Sequence, residues 1–270
     1  PILAMKTGRT AQGAAAAASH TGSLAGSDEV YDAIMLQAGV IRVNRVEDLF
    51  NYAPVFLDNR MPSGNHTAIV TNAGGPGIMA TDACIRCGME LAKFGDYTLK
   101  SLKFQMPAAA NIKNPVDVIG DAKHDRYRSA LDAVSADADV QQIVVIVTPQ
   151  TMTDVVEIAE VVGETKEFCD KPIVACFMGA VDVSPGVDLL RKRGVPTYTF
   201  PEDAMQALSV RDRFARWTRS PVLGHKQFEV DRAGVDALFD EEMAAGRDQL
   251  VEIKALGVFE KYGFPIAPFA

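Results

Sequence analysis

Apolar residues fall along this chain in two spacings. In short runs such as residues 143–147 and 173–177 every position is apolar, which is the mark of parallel strands buried on both faces. Between such runs lie longer stretches in which apolar positions recur every third or fourth residue, predicting helices with one buried face. From residue 66 onward the alternation is regular. It predicts strands at 68–71, 116–119, 143–147, 173–177 and 197–200, and helices at 76–93, 124–136, 153–167, 185–192 and 201–217. Strands separated by helices specify an α/β fold in which right-handed crossovers cover both faces of a parallel sheet, a flavodoxin-like or Rossmann-like layer sandwich.

The stretch before this domain has the same character but only half the content. Residues 1–6 read as a short buried strand and are followed by a loop of small residues carrying His20. A helix is predicted from Ser27, a plausible N-cap with Asp28 and Glu29 in the first turn, to Ala38, where Gly39 stops it. A brief strand at 41–43 and a helix at 46–57 complete the segment. Such a piece is too small to bury a core of its own, so residues 1–57 are expected to be the C-terminal half of a first, incomplete sandwich. Residues 58–65, with Pro62, Ser63 and Gly64, read as a linker. Residues 66–219 form the complete domain. From 220 to 270 a polar connector leads into a predicted helix at 231–261, and Tyr262 to Ile266 resemble the start of a further unit cut short. A chain beginning at Pro1, directly in a strand, reads as a piece excised from something longer.

Composition narrows the function classes. The chain of 270 residues carries a formal net charge of -8, so it has no basic footprint for nucleic acid. No apolar run is long enough for a membrane span, and no signal peptide opens the chain. A protein without a membrane partner, in the cytoplasm, is the expectation. Four cysteines are too few for a disulfide framework in a chain of this length. Cys84 and Cys87 have redox or metal spacing, but they lie inside a predicted helix without a second pair, so they read as packing. Asp121, His124 and Asp125 read as charges at a helix start, His66, His124 and His225 as surface residues, and Trp217 as a packing residue. No metal site is expected.

Two segments carry chemistry. His20 stands in the run Ser19, His20, Thr21, Gly22, Ser23, Leu24, Ala25, Gly26. A largely neutral imidazole keeps a lone pair that can attack phosphorus, and small neighbours leave room for a bulky anion. The second segment is Thr71, Asn72, Ala73, Gly74, Gly75, Pro76, Gly77, between the first strand and first helix of the complete domain. A helix N-terminus at the carboxyl end of a strand offers free amides and the positive end of the dipole, and so can cradle a phosphate. It is neither the dinucleotide fingerprint nor the Walker loop, and it can equally be a tight turn that needs glycine for packing.

Three stretches, GRTAQGAAAAASHTGSLAG, TNAGGPGIMATDA and LGVFEKYGFPIA, occur in that order, with Asn114, Pro115, Val116 and Asp117 between the second and third. The combination resembles the NDP-forming acyl-CoA synthetases, the superfamily that includes succinyl-CoA synthetase. The resemblance implies that His20 is a phosphohistidine, that Gly74, Gly75 and Gly77 are backbone phosphate ligands, and that the tail opens an ATP-grasp domain. It implies a reaction in which acyl-CoA and phosphate give an acyl phosphate, His20 is phosphorylated, and ADP becomes ATP, with acyl-CoA formed in the reverse direction. Partners are then a small carboxylic acid, CoA, phosphate and ATP or ADP, with Mg2+ in the ATP-grasp part, no permanently bound cofactor, and a homo-oligomeric parent. The CoA-binding domain and the carboxylate that orients the histidine would precede Pro1, and a single fused polypeptide is expected. The fragment alone is expected to be inactive. Two other classes compete: a synthetase-like sensor region of a protein acyltransferase, which has no need of His20, and a flavin-binding electron carrier, which needs a loop richer in Ser and Thr.

Overall fold

Residues 1–21, 27–58, 60–179, 183–221, 224 and 227–266 are described by the computed structural model, those of His20 and Thr21 without their side chains. Two compact units result, residues 1–220 and 221–270.

The first unit begins with β1 (Ile2–Ala4), α1 (Ala11–Thr21), α2 (Asp28–Gln37), β2 (Val40–Arg42) and α3 (Val46–Tyr52), the last running into a 3-10 turn at Ala53–Phe56. There follow β3 (His66–Thr71), α4 (Gly74–Arg86), β4 (Glu90–Leu91), α5 (Asp96–Gln105), β5 (Val116–Asp117) and α6 (His124–Ala136). The unit closes with β6 (Gln142–Val147), α7 (Val155–Phe168), β7 (Ile173–Phe177), α8 (Ser184–Lys192), β8 (Thr197–Tyr198) and α9 (Pro201–Arg219).

All pairings in the main sheet are parallel, in the order β4-β3-β6-β7-β8, with β5 alongside the carboxyl half of β3. Strand alternation builds two cores. Ala68, Val70, Ile143, Val145, Val147, Ile173, Ala175 and Phe177 point to one face, which the successively packed helices α5 to α8 cover. Ile69, Val144, Ile146, Val174 and Cys176 point to the other, covered by α4 and α9. Both faces are dry, which explains why these strands carry unbroken apolar runs.

The expected α/β sandwich is therefore present, with two elements that hydropathy missed. The helix expected at 76–93 ends at Arg86, because Gly88 takes a φ of +75° and turns the chain so that β4 joins the sheet edge. Helix α5 (Asp96–Gln105) is the second such element. It buries only Thr98 and Leu102 and leaves Tyr97 81% and Phe104 92% exposed, so its pattern is not that of an amphipathic helix.

In the N-terminal segment β1 pairs with β2 in parallel. The expectation of a buried first strand is corrected: Ile2 is 63% exposed, since a two-stranded sheet cannot enclose both its faces. Helix α2 buries no residue. The small-residue loop expected around His20 is corrected too, for residues 11–21 form α1. Alanine is the strongest helix former, and the Thr10 hydroxyl caps the helix by accepting the Gly13 amide at 3.1 Å. The segment finds its buried contacts elsewhere, through Val43, Tyr52 and Val55, which join the core between the sheet and α9. Tyr198 donates its hydroxyl to the Asn51 carbonyl at 2.8 Å, and Phe56 meets Phe214 edge to face.

Residues between this segment and β3 are tied down. The guanidinium of Arg211, buried in α9, donates to the Asp58 carbonyl at 3.0 Å and to the Arg60 carbonyl. Arg219 donates to the Ser63 carbonyl at 2.9 Å.

In the second unit, the single helix expected at 231–261 is two, α10 (Arg232–Ala244) and α11 (Glu252–Lys261). Gly246, at φ +72°, ends α10, and the Arg247 amide then folds back onto the Glu242 carbonyl. Lys261 pairs with Asp231, the N-cap of α10, at 2.7 Å.

Candidate functional site: a glycine turn at the crossover of the sheet

The chain leaves β3 for α4 and strands on one side, then crosses to β6 on the other. Between the carboxyl ends of β3 and β6 lies the point where the topology reverses, the place where open α/β sheets bind ligands. The two strand ends are stapled: Asn72 donates its amide to the Thr148 carbonyl at 2.8 Å and accepts the Thr148 amide at 2.8 Å. Beside the staple the buried Thr148 Oγ1 has no partner among the described residues.

Helix α4 starts here. Thr71 shapes the turn, its hydroxyl accepting the Ala73 amide at 3.1 Å and donating to the Ala73 carbonyl at 3.0 Å. Ala73, the N-cap, has no side chain to cap the helix, so among the described residues the amides of Gly74 and Gly75 have no acceptor, and both glycines are exposed. Pro76 then supplies a first-turn residue with no amide to satisfy. Gly77 differs from its two neighbours: it is buried, and its amide donates to the Ala73 carbonyl at 3.2 Å. A Cβ there would sit 3.1 Å from Thr71 Cγ2, so Gly77 serves the close approach of α4 to β3, while Gly74 and Gly75 present amides.

Two further loops converge on the turn. Asp117, at the end of β5, holds the Ile119 amide through Oδ1 at 2.9 Å, and its Oδ2 lies 3.6 Å from where a Gly74 Cβ would be. Ile119 adopts φ 71°, a left-handed conformation that a β-branched residue takes only under tertiary constraint. Gln150, from the loop after β6, lies over Gly120, where a Cβ would come within 2.5 Å of its Nε2. Tyr127 is buried beneath and donates to the Ile146 carbonyl at 2.8 Å. Burial, with the Asp117 charge second, pushes its phenol well above the ordinary range, so it stays a neutral donor. The arrangement suits a small anion, with two free amides at a positive helix end and an unpartnered hydroxyl in a rigid frame.

Sequence reasoning named the glycines, and named Asn72 and Asp117 as members of their motifs without a role; it missed Thr148 and Gln150, whose partners Asn72 and Gly120 lie far away in sequence. His20 lies in the last turn of α1; its ring, and the Gly22 to Gly26 run with it, fall outside the described residues. His66 is half-buried at the start of β3, where its Nδ1 lies within hydrogen-bond distance of Asp139, at 2.8 Å. His124 is exposed and pairs with Asp154, the N-cap of α7, while His225 lies outside the described residues. Cys84 is buried in α4, and burial pushes its thiol up to about 11. Asp121 pairs with Arg126 at 2.7 Å. Among the described residues no three His, Cys, Asp or Glu side chains gather to hold a metal, and no helix is long and apolar enough to cross a membrane.

Comparison with known proteins places this geometry. Residues 1–56 match the succinyl-CoA ligase like flavodoxin domain, and residues 67–223 match the Ligase-CoA domain. The chain is 39% identical over 271 residues to ADP-forming acetate–CoA ligase I of Archaeoglobus fulgidus, covering 100% of this chain and 38% of that protein. It is 36% identical over 266 residues to ADP-forming 4-hydroxybutyrate–CoA ligase of Nitrosopumilus maritimus, covering 98% of this chain and 38% of that protein. Among solved structures, the dinucleotide-forming acetyl-coenzyme A synthetase 1 of Candidatus Korarchaeum cryptofilum, in complex with phosphate and ADP, superposes with a TM-score of 0.75 at 32% identity. That match covers 80% of this chain and 47% of the other. The chain thus spans less than half the length of these relatives.

Proposed function

The chain belongs to the NDP-forming acyl-CoA synthetases, the superfamily of succinyl-CoA synthetase, and from that premise we propose that it is the phosphate-relay portion of an ADP-forming acid–CoA ligase. The observation that carries the proposal is the α4 turn at the crossover of the sheet, whose Gly74 and Gly75 amides await an acceptor beside the unpartnered Thr148 hydroxyl.

In this reading inorganic phosphate attacks the thioester carbon of acyl-CoA, releasing CoA and leaving an acyl phosphate. A neutral nitrogen of His20 then attacks phosphorus, the P–O bond to the acyl oxygen breaks, and the carboxylate departs. ADP takes the phosphoryl group from His20 to give ATP and restore the imidazole. The turn at Gly74 and Gly75 holds the phosphate oxygens through backbone amides while charge shifts among them, and needs no rearrangement to do so. Asp117 sits beside the turn, its Oδ2 3.6 Å from where a Gly74 Cβ would be, and so borders the space the phosphate enters. Of the three glycines, Gly74 and Gly75 act as ligands and Gly77 positions the helix. Mg2+ belongs with the nucleotide; no described cluster would hold it, so it enters no step here.

The same reading assigns residues 1–57 to half of a flavodoxin-like domain bearing the phosphohistidine, 58–65 to a linker, 66–219 to a complete domain, and 220–270 to the opening of an ATP-grasp domain. It places the protein in the cytoplasm as a homo-oligomer acting on a small carboxylic acid.

The full protein incubated with γ-labelled ATP should yield an acid-labile, alkali-stable phosphoprotein. His20→Asn should abolish the label, and Gly75→Val, where a Cβ would meet nothing within 4 Å, should weaken phosphate binding while the protein stays folded. An unlabelled wild-type protein would favour a sensor region over a catalyst.

A further inference from the structure

One side chain reaches across the crossover of the sheet with a polar end that the protein does not use, Gln150. At Thr71, the last residue of β3, both edges of the strand are paired, to Asp117 of β5 on one side and to Ile146 of β6 on the other. Strands two places apart in a sheet stand about 10 Å from one another, so a contact between the loops that follow β5 and β6 has to pass over the end of β3. Gln150 and Gly120 make that contact: a Cβ on Gly120 would lie 2.5 Å from Gln150 Nε2 and 3.1 Å from Oε1. At the same place the chain leaves β3 for the turn at Gly74 and Gly75.

Both loops are held. Val118 donates its amide to the Thr71 carbonyl at 2.8 Å, and Arg126 donates to the Val118 carbonyl at 2.9 Å. The Gln150 amide donates to Thr153 Oγ1 at 2.8 Å, and its carbonyl accepts the Thr153 amide at 2.9 Å. The Gln150 carboxamide, by contrast, is exposed and makes no hydrogen bond among the described residues. Other polar side chains at the crossover are engaged or closed off. Asn72 donates to the Thr148 carbonyl, Thr71 to the Ala73 carbonyl and Tyr127 to the Ile146 carbonyl, and Thr148 Oγ1 is shut away from solvent. Beside two amides suited to an anion there is thus one neutral amide group on a fixed backbone, placed to meet whatever the anion is joined to.

We propose that Gln150 orients the acyl group of the substrate, its Nε2–H donating to the carboxyl oxygen that does not bond to phosphorus. This rests on the relay reading above, in which Gly74 and Gly75 hold the phosphate. When an acid is activated, one carboxylate oxygen attacks the phosphorus on His20, the P–N bond breaks and its electron pair returns to the ring. The other oxygen passes from a shared negative charge to a neutral carbonyl. A carboxamide serves both states, because it donates to either oxygen without the ion pair by which an arginine or lysine would hold back the free carboxylate.

The test charges His20 of the full protein with γ-labelled ATP, removes the nucleotide, and follows loss of label on adding either ADP or a carboxylic acid with CoA. The acid is whichever of acetate, propionate, butyrate and hexanoate discharges the wild type fastest. Gln150→Ala should slow discharge by the acid about fivefold or more, through a raised KM for the acid, and leave discharge by ADP within about twofold, with thermal unfolding unchanged. Gln150→Glu, which puts a second carboxylate where the donor was, should slow the acid further. Gly120→Ala is an independent handle: its backbone is not left-handed and accepts alanine, but the new Cβ displaces the carboxamide. It should give the same acid-selective defect, and adding it to Gln150→Ala should change nothing more. Acid discharge at the wild-type rate in Gln150→Ala, an equal loss with ADP, or a raised KM for phosphate in the acyl-CoA direction in place of one for the acid would each overturn the assignment of Gln150. A wild type that takes no label from ATP, or keeps it against every acid, fails the relay reading itself.

Discussion

The two halves of the first unit are built from the same βα grammar and end up with opposite security. In the sheet of β3 to β8 alternate residues of every long strand enter one of two dry cores, and Ile146, Val145 and Leu131 are fully buried. In the β1–β2 segment α2 buries nothing, and the contacts to the rest of the unit run through Val43, α3, the following turn and the packing of Trp217 on Gly39. Position, not composition, makes the difference: a strand flanked by strands and helices on every side is fixed, and one with a single neighbour is not. The division suits the proposed work. The anion turn sits on the rigid half, and His20 sits on the half that leans on its neighbour.

The largest test of this contrast is a pair of truncations. Ile146→Ala should cost about 3 kcal/mol, and Ile2→Ala under about 0.5 kcal/mol, measured by urea unfolding followed by circular dichroism. Equal losses would break the comparison. Next comes the joint. Gly39→Ala must hold a φ of +68° and push aside the Trp217 ring, so it should cost about 2 kcal/mol and shift Trp217 emission to the red, with the sheet's helical signal retained. A variant with unchanged emission would show that the segment does not depend on this contact.

A gentler probe needs no mutation. Burial pushes the Cys84 thiol up to about 11 and Cys176 higher still, so both remain protonated, and unreactive toward alkylation, at pH 8 while the sheet is folded. In a urea series Trp217 emission should change before these thiols become reactive; coincident transitions would mean that the two halves open as one. The smallest effect sharpens the site itself. Gly75→Val should weaken phosphate binding by about tenfold, or about 1.4 kcal/mol, with stability within about 0.5 kcal/mol of the parent chain.

How much of this was legible in the sequence follows the same division. Residues 143–147 and 173–177 could be read as central strands because burial on both faces leaves no polar position. The glycine turn was legible as a strand-to-helix turn, equally a phosphate cradle or a packing turn; the structure divides its glycines, with Gly77 buried against β3 and Gly74 and Gly75 exposed. Strand β4 spans only Glu90–Leu91, too short for any period, and α5 turns two aromatic residues outward. Around His20 the small side chains of the alanine run read as a loop, although alanine favours a helix once Thr10 caps it. The staple between Asn72 and Thr148, and the grip of Arg211 on residues 58 and 60, join positions far apart in sequence and leave no local signature.

Phosphopeptide mapping of the full protein after brief exposure to γ-labelled ATP tests the central claim most directly, run on the wild type and on Gly75→Val. The account predicts that phosphate in the wild type is confined to the peptide containing His20, is lost in acid and kept in alkali, and is discharged to ADP. It predicts that Gly75→Val, though folded, uses phosphate and acyl-CoA to label the same histidine far more slowly. Phosphate found on another residue, or a Gly75→Val protein labelled from acyl-CoA and phosphate as fast as the wild type, would contradict it.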